Sequence, residues 1–101
     1  METQVTAAGE AAWEVSGELT FATVAELWRA NGSLFSGTAS EFSLDLSAVS
    51  RADSAGLALL IEWMRSARAD GKAVRFLHVP QQLLEIARIS GLESILTLQH
   101  D

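Results

Sequence analysis

The stretch FSLDLSAVSRADSAGLALLI, running from Phe42 to Ile61, contains both hydrophobic periods that folded chains use. Phe42, Leu44 and Leu46 alternate with Ser43 and Asp45, so Glu41 to Leu46 reads as a strand with one buried face. Ser47 to Asp53 reads as a short loop. From Ser54 to about Ala69 the period becomes helical, with Gly71-Lys72 as the stop. Asp53 or Ser54 can accept hydrogen bonds from the free amides of the first turn, and Asp also suits the positive end of the helix dipole. Gly56 lies inside this helix, where glycine costs roughly 1 kcal/mol against alanine. That cost predicts another backbone passing close by, from the fold or from a partner.

On a helical wheel Gly56, Leu57, Leu60, Trp63, Met64 and Ala67 share the side expected to face a sheet. Ala55, Ala58, Glu62, Arg65 and Ser66 lie opposite, and Leu59 and Ile61 flank the two edges. The apolar arc is wider than one helix on a sheet requires. Either Leu59 and Ile61 pack beneath neighbouring elements of the same domain, or the start of this helix is a docking surface whose small alanines let another helix approach.

Outward from this core, Trp13 and Val15 alternate with small or polar residues from Ala12 to Ser16, the pattern of a half-buried strand. Gly17 breaks the run, and Glu18-Leu19 reads as a short second extended piece. Thr20 is placed to cap a helix over roughly Phe21 to Asn31, with Val24, Leu27 and Trp28 at helical spacing and Asn31-Gly32 as its stop. Ser36-Gly37-Thr38 marks a loop. Ala73 to Val79 reads as a strand, Pro80 as the entry to a helix over Gln81 to Ser90 that Gly91 ends, and Ile95 to Leu98 as a final short strand. The order β(β)αβαβαβ predicts an α/β fold with a mixed, mostly parallel β-sheet and packed α-helices. Residues 1–11, small and polar, are expected as a flexible N-terminal tail, and 12–101 as one domain.

The bulk properties narrow the function. Of 101 residues, 49% are hydrophobic and 20% charged, an ordinary globular balance. A net charge of −6 argues against nucleic acid, which demands a basic stripe, and against adsorption to an anionic membrane surface. No apolar run reaches the ~18 residues that span a bilayer, so no direct membrane insertion is expected. Met1-Glu2-Thr3-Gln4 lacks the basic start of a signal peptide, and the absence of cysteine fits a reducing cytosol. His78 and His100 are too far apart in sequence to suggest a metal site. No P-loop, nucleophile elbow or glycine fingerprint occurs, and Ser54 has no histidine base in its segment; no catalytic residue and no cofactor are expected. Trp13, Trp28 and Trp63 read as core or core-edge residues, with Trp28 a candidate rim residue of an interface.

Several segments together carry a resemblance. Gly17-Glu18-Leu19, Leu44-Asp45-Leu46-Ser47, Asp53-Ser54-Ala55-Gly56-Leu57, Gly71-Lys72 and Ile89-Ser90-Gly91-Leu92 resemble the STAS domain, the fold of bacterial anti-anti-sigma factors and of sulfate-transporter C-terminal domains. The likeness runs from about Ala12 to Leu98. Its position between a strand and a long helix makes the short Asp53-Ser54-Ala55-Gly56 motif specific. Within the family, Glu26-Leu27-Trp28, Ser50-Arg51-Ala52-Asp53 and Gly56-Leu57-Ala58-Leu59-Leu60 are most similar to the small accessory subunits of the Mla phospholipid ABC transporter.

That likeness implies a non-catalytic subunit on the cytosolic face of the inner membrane. Its implied partner is the transporter's ATPase (MlaF-like), and through it a permease and a substrate-binding MCE subunit. It also implies a partner-binding set of Arg51, Asp53, Ser54, Ala55, Ala58, Leu59 and Glu62. The alternative within the family is an anti-anti-sigma factor in which Ser54 is phosphorylated. A phosphate suits a helix N-terminus, although Asp53 beside it would repel the added charge.

Overall fold

The computed structural model describes residues 3–32, 34–35 and 38–92. Their elements run β1 (Gln4–Gly9), β2 (Ala12–Leu19), α1 (Val24–Ala30), β3 (Glu41–Ala52), α2 (Ser54–Ala69), β4 (Ala73–Leu77) and α3 (Gln81–Ile89). The sheet order is β1-β2-β3-β4, with β1 antiparallel to β2 and the other pairs parallel. Each helical crossover steps the same way across the sheet, so right-handed connections collect the helices on one face. The alternation of Val15, Gly17 and Leu19 on β2, Phe42, Leu44 and Leu46 on β3, and Val74 and Phe76 on β4 supplies the buried side of that face. The expected α/β architecture is borne out. The strand read at Ile95 to Leu98 lies outside the described residues.

Five local expectations are corrected. Residues 4–9 are not a loose tail but the edge strand β1, with Val5 opposite Val15 and the Thr3 hydroxyl donating to the Glu18 carbonyl at 2.8 Å. Their small polar side chains gave no period because β1 buries almost none of its side-chain surface. Gly17 does not end β2 either. It sits within the strand at φ +95°, and a β-carbon there would meet the Thr3 backbone at 2.7 Å. The extra strand at the N-terminus is therefore β1, not Glu18-Leu19.

The supposed loop Ser47 to Asp53 is largely strand, since β3 continues to Ala52. Pairing with β2 shifts twice, between Glu14 and Ser16 and between Gly17 and Glu18. These shifts erase the simple alternation on which the shorter reading rested. Finally, α1 begins at Val24, with Thr23 and not Thr20 in the cap position. The Thr23 hydroxyl donates to the Glu18 carbonyl at 2.7 Å and accepts from the Thr20 amide, tying the turn to β2 and leaving Phe21 outside the helix. At the C-terminal edges β4 stops at Leu77, and His78 takes a left-handed φ of 56°.

One continuous core joins sheet and helices, with Trp63, Phe76, Leu19, Leu44, Leu46, Leu60 and Leu83 fully enclosed. The α2 side read as sheet-facing is buried in full, from Gly56 to Ala67. Beyond α1, Lys72 closes the connection to β3 by donating to the Phe35 carbonyl at 2.6 Å while lying over the Phe42 ring.

Candidate docking site

The β3–α2 junction is built around Asp53. Its backbone is extended, which frees the carboxylate to turn back over the helix start. Oδ1 accepts from the amides of Ala55 at 2.9 Å and Gly56 at 3.4 Å, making Asp53 the N-cap of α2. Oδ2 accepts from the Phe21 amide at 3.1 Å, across the chain in the β2–α1 turn. The Phe21 amide leads the causes that hold this carboxyl below the usual carboxylate value. Burial opposes it, while the Ala55 and Gly56 amides and the Arg51 charge add to it.

The close backbone predicted at Gly56 belongs to the fold. A β-carbon there would lie 2.5 Å from the Leu19 carbonyl oxygen, which also accepts from the Asp53 amide at 3.1 Å. Glycine lets the first turn of α2 rest directly on the end of β2. On the far side, Gln82 of α3 accepts from the Ala52 amide at 3.0 Å through its Oε1. The junction is thus held from three elements.

Beside it lies an apolar groove of about 370 Å³ lined by Phe21, Val24, Ala25, Trp28, Ala55, Ala58, Leu59 and Glu62. One wall comes from the turn and α1, the other from α2. Trp28 is 41% exposed and Phe21 87% exposed, a large apolar area for two neighbouring residues. Leu59 is only 4% exposed; it belongs to the core and also underlies the groove, so the two readings of its position meet in one side chain. Ile61 is half-buried against the core.

Of the expected partner-binding residues, Ala55, Ala58, Leu59, Glu62 and Trp28 come together along this groove. Ser54 is the exposed first residue of α2, and its hydroxyl makes no hydrogen bond among the described residues. Arg51 is exposed at the end of β3. Asp53 is turned into the junction. Phe21, Val24 and Ala25 were missed. In the helix that the sequence predicts from Phe21, this residue has no face of its own; an apolar aromatic directly after the Leu19-Thr20 strand end is the available signal. Elsewhere His78 Nδ1 meets Asp45 Oδ1 at 3.0 Å, and no group of three or more acidic, His or Cys side chains gathers among the described residues.

A family model described as the MlaB STAS domain matches residues 3–98. The chain belongs to the MlaB-type STAS domain family. Among curated relatives, the "intermembrane phospholipid transport system binding protein MlaB" of Haemophilus influenzae is 33% identical over 79 residues, covering 75% of each chain. Solved STAS-like structures share the fold. A putative anti-sigma factor antagonist from Thermotoga maritima superposes with a TM-score of 0.74 at 14% identity, over 92% of this chain and 82% of that one. The Bacillus cell-fate determinant SpoIIAA in its phosphorylated form gives 0.65 at 21% identity, over 95% and 89%. As an MlaB-type STAS domain, the protein is grouped with accessory and regulatory modules.

Proposed function

We propose that the protein is the accessory subunit of a phospholipid-transporting ABC system of the Mla type and docks on its ATPase through the groove between α1 and α2. The observation that carries this reading is the pairing of exposed Phe21 and Trp28 with a wall of Ala55 and Ala58. Aromatic anchors beside small residues suit a helix laid into a groove. The relationship to a phospholipid-transport binding protein supports the choice of partner. Arg51, Ser54 and Glu62 form the polar rim, and Asp53 supports it from within. ATP hydrolysis belongs to the partner, and the complex, reaching the permease and MCE subunit through the ATPase, sits at the cytosolic face of the inner membrane. Docking that prefers one arrangement of the ATPase shifts its population by no more than the difference in affinity for the two arrangements.

The test is capture from native membranes with the wild-type chain, Ser54→Arg and Ala58→Arg, the bound proteins being identified by mass spectrometry. An ABC ATPase and its permease are expected with wild type and lost with both variants. Recovery of an anti-sigma kinase from the soluble fraction, without an ATPase, would replace this reading. That second reading is favoured by one observation, the exposed hydroxyl of Ser54 at the first residue of α2, where a phosphate meets helix amides. Incubation with such a kinase and ATP, followed by mass spectrometry of the peptide containing Ser54, decides it.

A further inference from the structure

The two walls of the groove hang on different stretches of chain. Phe21, Val24, Ala25 and Trp28 belong to an arm running from the turn through α1, and within α1 only Leu27 is buried in the core. Ala55, Ala58, Leu59 and Glu62 ride on α2, which buries seven residues. Something must set the separation of a weakly anchored arm from a firmly anchored helix. Among the described residues, the hydrogen bond joining the arm to the start of α2 is the one from the Phe21 amide to Asp53 Oδ2. The same carboxylate holds α2 through Oδ1, and the Asp53 amide is itself bonded to Leu19, the last residue of β2.

We propose that Asp53 is a positioning residue: its two carboxylate oxygens tie the Phe21 backbone to the first turn of α2 and so set the opening of the groove. This rests on the reading of the groove as the docking site. Asp53 acts through Phe21 and need not touch the partner. A partner that requires this opening meets a preformed groove and loses less freedom on binding than one that must order the arm itself.

Asp53→Asn separates the tie from the cap. Asparagine caps a helix as well as aspartate does. Its amide, however, offers one acceptor oxygen in place of two, and turns an N–H donor toward whichever amide that oxygen does not serve. With the carbonyl retained on Ala55 and Gly56, the Phe21 amide faces a donor and its bond is lost. A purely structural cap would be indifferent to this change.

The experiment combines amide hydrogen exchange by NMR on the free protein with calorimetric titration against the ATPase captured by wild type. In Asp53→Asn the Phe21 amide is expected to exchange at least about tenfold faster, as for loss of a bond to a charged acceptor, while the Ala55 amide keeps its protection. ATPase affinity is expected to fall about tenfold with little change in the melting temperature. Unchanged Phe21 exchange overturns the tie, and faster exchange with undiminished affinity overturns the positioning role. Ala58→Arg is titrated in parallel. If it binds like wild type, the groove is not the docking site and the positioning role falls with it. If it fails to bind while Asp53→Asn binds normally, the docking site stands and only the role of Asp53 is lost.

Discussion

The two helices flanking α2 are anchored to different depths. α3 inserts Leu83 and Ala87 completely into the core, with Leu84 and Ile86 packed against it. α1 buries Leu27 with Val24 packed against the core, while Trp28 remains half open and Phe21 stands clear just ahead of the helix. The first arrangement is finished by the chain itself. The second leans on polar ties, from Thr23 to Glu18 and from Phe21 to Asp53, whereas α3 adds its Gln82 bond from the Ala52 amide to two fully buried side chains. Burial of apolar area is what holds helices in place in water, so α1 is the helix whose packing a partner can complete.

The contrast yields ordered predictions. Leu83→Ala leaves a cavity between α3 and the core and should cost about 2–5 kcal/mol of unfolding free energy in urea titration. A loss below about 1 kcal/mol would mean α3 is not held as described. Gly56→Ala, where the first turn of α2 rests on the end of β2, should destabilise by about 1–3 kcal/mol despite the better helix propensity of alanine, because the obstacle is the Leu19 backbone. A stabilised variant in the same titration would contradict that close approach. Trp28→Ala should weaken ATPase binding by about 1.4 kcal/mol or more, tenfold by calorimetry, with stability changed by less. Ile89→Ser, which alters an equally apolar exposed position on α3, should leave affinity unchanged.

The smallest effect concerns pH. The Asp53 carboxyl is held below its ordinary value in the folded protein, so its contribution to stability is full above the unfolded value of about 3.9. It is lost as pH falls through the lower folded value. Wild type should therefore lose more stability than Asp53→Asn as pH falls below about 4, and parallel curves of urea midpoint against pH would show that this carboxylate is not responsible. Asp45 adds a separate slope. Burial opposes its ionisation, but the Ser47 amide and His78 outweigh it and hold its carboxyl low.

What could be read from the residues alone follows from which signals are local. The bounds and buried side of α2 were legible because sixteen consecutive residues keep one period, and Gly56 announced a neighbour because its cost is paid inside a helix. The α2 wall of the groove followed from the same wheel. β1 was illegible, since a strand exposed on both faces writes no alternation into its side chains. The far half of β3 was hidden by its register shifts, and the α1 wall by a turn in which the Thr23 hydroxyl, bonded to the Thr20 amide and the Glu18 carbonyl, delays the helix to Val24. Side-chain hydrogen bonds to backbone leave no periodic trace.

The two shifts between β2 and β3 have a consequence in parity. From Ala12 opposite Ser43 to Leu19 opposite Ala52, β3 gains two residues over β2, one at each shift. One extra residue turns every later side chain to the other face of a sheet, and a second turns it back. Hence Leu46 and Ala52 face the core at even numbers, while Val49, between the shifts, packs inward at an odd one. Asp53 reaches Phe21 and α2 because that count is even. Removing a single residue from the 47–50 stretch would leave every group of the junction in the chain and send the whole junction through to the wrong side of the sheet.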